Sequence, residues 1–233
     1  MLRRWRKAEK AALLLLVLLT GILLTSLQKA SPAEPRAIYF VEGSPARVAL
    51  TFETLWTATG LEAVLQVLHQ EGVHATFFLS GTWLKQNPEL AWAILAGGHE
   101  IGNHTMNHRV MLDLNSQDMV KEIKAFNELA AEILEYRPRL FRPPLGLYSG
   151  AVLKKARQLG CRTVLWSVDS YDWTSRSSAE ILGRVSGRLH GGAIMVFRIG
   201  APLLPEALAG VLTELRSRGY KAVTVTELLQ TEN

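Results

Sequence analysis

The sequence predicts an α/β protein: a single distorted (β/α) barrel of about seven strands, preceded by an N-terminal membrane-anchor helix. Three observations lead there. Residues 11–27 carry no charge and come after a cluster of basic residues. From Arg47 onward, short apolar runs alternate with helical stretches, the rhythm of parallel strands covered on both faces. The polar residues able to do chemistry fall just after those runs, at strand C-terminal ends, where barrels keep their sites.

Taken in order, residues 1–10 hold Arg3, Arg4, Arg6, Lys7 and Lys10 against Glu9 alone, which accounts for +4 of the net charge of +5. The rest is nearly neutral, and this excludes a nucleic-acid surface, which needs a basic patch on the folded domain. The segment AALLLLVLLTGILLTSL makes a helix of about 25 Å, near the short end for crossing a bilayer. Basic residues ahead of it favour a cytoplasmic N-terminus and an exported C-terminal domain. A cleaved signal peptide, with secretion of the domain, is the competing reading, but QKASPAEP offers no convincing small-x-small cleavage site. Residues 28–46, spaced by Pro32, Pro35 and Pro45, read as a tether. The division is therefore 1–27 anchor, 28–46 linker and 47–233 folded domain. Cys161 is the one cysteine, so no internal disulfide forms, and it reads as core filler.

Strands are expected at Val48–Phe52, Ala75–Leu79, His99–Gly102, Arg139–Arg142, Thr163–Val168, Ala193–Phe197 and Ala222–Val225. Thr59 with Glu62, and Ser177 with Glu180, are spaced as capping boxes. Asn87 then Pro88 reads as an N-cap with proline next to it at the first helical position. Gly72, Gly97, Gly160 and Gly219 close helical runs, where a left-handed residue is wanted. The longest helix, Gln117–Glu135, sets Met119, Ile123, Phe126, Leu129, Ala130 and Ile133 along one core-facing stripe. An open doubly wound sheet is the alternative, and no GxGxxG phosphate loop supports it.

The residues just past the strand ends form a convergent set: Glu53 and Thr54, then His104 and His108, then Arg142, Pro143 and Pro144, then Asp169, Asp172 and Trp173, then Arg198. Two imidazoles four positions apart on a loop are donors suited to zinc or a similar divalent ion. Trp56 and Trp83 lie near the rim, as packing or as platform.

The segments ATFFLSGTWL, PELAWAILAGGHEIGNHTMNH, FRPPLG and WSVDSYDW stand in this order between about Arg47 and Leu229. Together they resemble the polysaccharide deacetylase domain (NodB homology, carbohydrate esterase family 4), which implies a distorted (β/α) barrel. The resemblance also implies metal-dependent hydrolysis of an N-acetyl amide on cell-wall glycans containing N-acetylglucosamine. It assigns His104 and His108 as metal ligands and Arg142 as the residue that orients the catalytic base. Pro143, Pro144, Leu145 and Trp173 fall at substrate-binding positions, with a backbone N–H near Leu145 holding the oxyanion. Asp172 matches the carboxylate that tunes a general-acid histidine after the sixth strand.

The chain departs from that pattern in three places. The Asp-Asp pair after the first strand, base and third metal ligand, is replaced by Glu53 and Thr54. A hydroxyl is neutral and a poor zinc ligand, so the implied metal lacks its third ligand. Arg198 stands where the acid histidine belongs, and arginine cannot give up and regain a proton at useful pH. Three functions are compatible with these departures. One is a membrane-held glycan-recognising protein with impaired or lost hydrolysis. Another is an active metallo-deacetylase in which Glu53 ligates the metal and Asp169 or Asp172 is the base. The third is a non-catalytic scaffold in which Arg198 neutralises Asp172 or Glu53.

Overall fold

The central strand β1 (Arg47–Thr54) carries Val48, Ala49, Leu50 and Phe52 around a buried Thr51, and it is buried from its second residue on. It pairs in parallel with β2 (Thr76–Leu79) on one side and β7 (Ile194–Arg198) on the other, while β8 (Lys221–Val223) joins its first residues. Beyond β2 lie β3 (Glu100–Asn103), β4 (Leu140–Phe141) and β5 (Arg162–Thr163), and beyond β7 lies β6 (Val168–Asp169). Every ladder is parallel. The structure, a computed structural model, describes residues 34–230.

The sheet curls into a half-barrel. Its outer face is covered by α1 (Leu61–Gln70), α2 (Gly81–Gln86), α3 (Pro88–Ala96), α4 (Ser116–Leu134), α5 (Gly150–Gln158), α6 (Ser178–Ser186) and α7 (Leu204–Ser217). Because strand side chains alternate, Val48, Leu50 and Phe52 pack with Leu61, Val64, Leu208 and Val211 on the helix side. Ala49, Phe78, Leu140 and Ile194 form a second, interior cluster with Val225 and Leu228 of α8 (Val225–Leu229). Carried to the strand ends, the same alternation assigns Glu53, Arg142 and Arg198 to the interior face. That parity is what builds the site.

Gly102 has a packing reason to be glycine. A Cβ there would come within 2.5 Å of the Phe78 ring, the interior residue beside it in register. That ring in turn supports Arg142, whose Cζ lies 4.1 Å from its centroid.

The expected strands are found with small shifts at their ends, except Thr163–Val168, which divides into β5 and β6. The reason is local. The Leu165 N–H donates to Ile38 O and the Ser167 N–H to Ile194 O, so this run steps from one sheet edge to the other. Meanwhile the Val164 and Leu165 carbonyls accept from the Arg142 guanidinium. Among the described residues the sheet therefore has eight strands rather than seven.

Composition assigned 28–46 to a tether, yet Ile38 bridges to Val164 just after edge strand β5, and Phe40 bridges to Ala193 just before β7. Val41, fully buried, donates its N–H to Gly192 O, and Gly192 (φ 75°) lies so close that a Cβ would collide with the Val41 carbonyl. This segment is the seam of the half-barrel. The proposed anchor at 11–27 lies outside the described residues. Among the described residues no helix is long and apolar enough to cross a membrane.

Helix punctuation is mixed. Ser177 and Asn115 cap α6 and α4 through their side chains. Thr59 caps nothing, since α1 starts from left-handed Gly60 and Thr59 pairs with Thr57 instead. Glu180 reaches Arg176 N–H rather than completing a box with Ser177. The Asn87 side chain donates to Trp83 O and leaves the α3 N-terminus uncapped. The left-handed turn after α3 falls on Gly98, not Gly97. A capping box does occur at Thr224 and Glu227, opening α8.

Candidate functional site

Glu53 and Arg198 stand at the ends of β1 and β7, paired directly across the ladder. The Arg198 guanidinium grips Asp169, at the end of β6, with both terminal nitrogens (Nη1–Oδ1 3.0 Å, Nη2–Oδ2 3.2 Å). Nη1 also lies 3.4 Å from Asp172 Oδ1, and Nε lies 3.9 Å from Glu53 Oε2. The Arg198 backbone N–H donates to Asp172 Oδ2 at 2.7 Å. Burial works against the Arg198 charge, but its bond to Asp169 and the charge of Glu53 outweigh burial and hold its pKa above the usual value. Burial pushes the Asp172 carboxyl up, partly offset by the Arg198 N–H.

On the other side, Arg142 is fully buried and reaches Glu53 Oε1 at 3.5 Å. Its Nε and Nη2 donate to Val164 O and Leu165 O. Burial lowers its pKa to about 10, opposed by Glu53, so it stays charged at neutral pH. Glu53 is thus held between two guanidiniums, one on each of its oxygens.

His104 extends β3 inward and is fully buried. Its Nδ1 donates to Arg142 O at 2.8 Å, which fixes the tautomer and leaves the Nε2 lone pair bare. Burial lowers its pKa to about 4 against the opposing charge of Glu53, so the ring is neutral. His108, whose pKa burial also lowers, lies with its ring centroid 4.9 Å from that of His104. Among the described residues, His104 Nε2 and Thr54 Oγ1 are buried side-chain atoms with no hydrogen-bond partner. Two such orphans are costly unless a small polar molecule meets them.

The residues present do not fit a resident divalent ion. The neutral imidazoles are oriented as ligands, but the side chain next to Glu53 is an alcohol and Glu53 itself is committed to two arginines. Among the described residues no group of three or more His, Cys, Asp or Glu is placed to hold a metal.

The histidine loop is held by residues that the sequence did not single out. Glu122 of α4 is buried and accepts from both the backbone N–H and the Nδ2 of Asn107, each at 2.8 Å. Asn103 turns outward, donating to Ile123 O and Asn127 Oδ1 while accepting the Thr105 N–H. A buried carboxylate in an otherwise apolar helix stripe was the available signal. Thr105, His108, Leu145 and Tyr171 all have positive φ, and such non-glycine strain gathers at functional sites.

Above this polar floor opens a cleft of about 600 Å³, lined by Glu53, His108, Asp169 and Arg198 and walled by Trp56, Trp166, Trp173 and Leu145. Trp56 is 74% exposed and Trp173 61%. The cleft thus brings together Glu53, His108, Asp169, Arg198, Leu145 and Trp173 of the expected set. Thr54, His104, Arg142 and Asp172 lie beneath it, and Pro143 and Pro144 lead into the strained Leu145 turn. Trp83 is packing: it is buried, with its Nε1 donating to Thr57 O. Trp166, at the cleft wall, escapes a sequence reading because it sits in the run expected to be one strand.

The sequence profile described as polysaccharide deacetylase matches residues 41–164. Over 192 residues the chain is 37% identical to the peptidoglycan-N-acetylglucosamine deacetylase of Bacillus cereus, covering 78% of this chain and 88% of that protein. It is 34% identical over 198 residues to the uncharacterized protein YlxY of Bacillus subtilis, covering 84% of this chain and 61% of that one. Among solved structures, the fold is similar to a wild-type CE4 family pseudoenzyme from Bacillus anthracis, with a TM-score of 0.81 and 33% identity over 84% of this chain and 69% of that one. A mutant of that pseudoenzyme with restored enzymatic activity matches equally well in TM-score and identity.

Proposed function

The chain belongs to the polysaccharide deacetylase family, and on that premise we propose that it is a cell-wall protein that recognises N-acetylated glycan with impaired or lost hydrolysis. The observation that carries this reading is Arg198, locked onto Asp169, Asp172 and Glu53 where proton transfer and metal ligation would need free groups. Loss of a general acid alone lowers rates by about 10²- to 10⁴-fold. The cleft with its exposed Trp56 and Trp173 supports retained sugar recognition, since sugar faces stack on indoles.

Anchoring by residues 1–27, with the domain outside the cytoplasm, is part of this proposal and rests on the basic and apolar pattern of that segment. The rearranged-metalloenzyme reading is disfavoured, because Glu53, Asp169 and Asp172 are all held by arginine. A second reading, a non-catalytic partner-binding protein, draws on the same arginine–carboxylate lattice, which seals the floor of the cleft.

The deciding experiment pairs binding with turnover, using N-acetylglucosamine oligomers and purified peptidoglycan. Saturable binding with acetate release at least about a hundredfold below that of an active family enzyme is the expected result. Acetate release at the rate of an active enzyme overturns the impairment. Absence of binding to either glycan overturns the recognition and leaves the partner role.

A further inference from the structure

We infer that Arg198 is the resident cation of this site, and that its guanidinium and a divalent ion at His104 and His108 exclude one another. The inference is independent of glycan recognition. It concerns how the chain balances a cluster of buried acids.

The geometry carries it. Arg198 contacts every carboxyl group in the site: Asp169 at 3.0 and 3.2 Å, Asp172 at 3.4 Å and Glu53 at 3.9 Å. Arg142 takes the other oxygen of Glu53 at 3.5 Å. The three carboxyl groups of the site thus share two covalently attached positive charges, and each already has a guanidinium within 4 Å. An ion entering beside His104 Nε2 would find two imidazoles, an alcohol and no uncommitted carboxylate. It would also sit close to two fixed guanidiniums in a setting where Arg198 is only 18% exposed, so solvent and salt screen the repulsion weakly.

The register makes the exchange specific. Residue 198 is the cross-ladder partner of residue 53, and both point into the barrel. A positive side chain at 198 therefore lands on the acid cluster without any movement of the backbone. A neutral side chain there would leave Asp169, Asp172 and half of Glu53 unpaired, and such a cluster attracts a cation from solution. An alcohol at 54 and a cation at 198 are thus two parts of one electrostatic arrangement.

The test uses the full chain and zinc alone, read by isothermal titration and by thermal melting. Four proteins are compared: wild type, Thr54→Asp, Thr54→Asp with Arg198→Lys, and Thr54→Asp with Arg198→Gln. Zinc in excess should neither bind wild type saturably nor shift its Tm, and a chelator should be without effect. The Gln double variant should bind zinc at least about tenfold tighter than Thr54→Asp, whereas the Lys double variant should not. Equal zinc affinity in the Lys and Gln variants would overturn the inference, because shape rather than charge would then exclude the ion. Should the double variants fail to fold, the imidazole resonances of His104 and His108 in wild type decide it. No movement with zinc supports mutual exclusion, and a saturable shift ends it.

Discussion

Arg198 stands opposite Glu53 across the β1–β7 ladder, and its Nε comes to 3.9 Å from the Glu53 carboxylate. That pairing sets the first expected outcome. Arg198→Ala strips Asp169, Asp172 and one oxygen of Glu53 of their partner and should destabilise the fold by about 3 kcal/mol in urea denaturation. Combining it with Asp169→Asn should cost less than the sum of the two single changes, since one removes the charge the other would leave unpaired. Strict additivity would show the lattice to be energetically idle.

Acid should weaken the fold through His104. Its pKa is lowered from 6.5 to about 4 in the native state, so between those values the unfolded chain binds a proton that the folded chain refuses. Stability is then greatest above pH 6.5 and falls as pH drops toward 4, by at most about 3 kcal/mol for this group. His99, buried and also lowered to about 4, acts in the same sense, while Asp172 and Glu100, raised by burial, act in the opposite one. The difference in Tm between wild type and His104→Gln, tracked from pH 7 to 4, isolates the His104 part. A difference that does not change with pH would contradict the buried neutral ring.

Glu122→Ala should lower stability by about 2 kcal/mol, because the Asn107 N–H and side chain lose their buried acceptor. His108 stacks edge-on against Trp56, so Trp56 fluorescence should report the loosened loop. An unchanged spectrum with full stability would remove Glu122 from the scaffolding of the histidine loop.

Trp173→Ala should weaken binding of N-acetylglucosamine oligomers by about tenfold and leave Tm unaltered, as the side chain is mostly exposed. Titration calorimetry checks the first half and thermal melting the second. Equal affinity in both proteins would take Trp173 out of the recognition surface.

Glu53→Asp, Thr54→Asp and Arg198→His introduced together should yield zinc binding and measurable acetate release from the same oligomers. Zinc binding without acetate would locate the remaining defect above the floor, at the Leu145 turn or the tryptophan walls.

Period-two alternation and the rule that barrel sites sit at strand C-termini made Glu53, His104, Arg142 and Arg198 readable from the chain itself. They share an interior face for the same reason that Ala49 and Ile194 do. Partner choice was not readable. The family resemblance drew attention to Asp172, but Asp169 holds the guanidinium with both oxygens, because the left-handed Tyr171 turn sends Asp172 under the Arg198 backbone. Glu122 stands out as a carboxylate in an apolar helix stripe, but it lies on a different element from the loop that it holds, so the stripe does not name its partner. Ile38–Val41 looked like tether for a related reason: a proline-rich composition says how a segment behaves alone, not which open strands it completes.

That last segment has a practical corollary. An expression fragment cut at Arg47, where the composition changes, would strip the hydrogen bonds made by Ile38 and Val41 to Thr163 and Gly192. It would bare two neighbouring strand margins, the kind of surface that recruits other chains into aggregates. Recombinant versions should therefore begin upstream of Ile38, and proteolytic trimming just after Val41 should turn a well-behaved preparation into a precipitate.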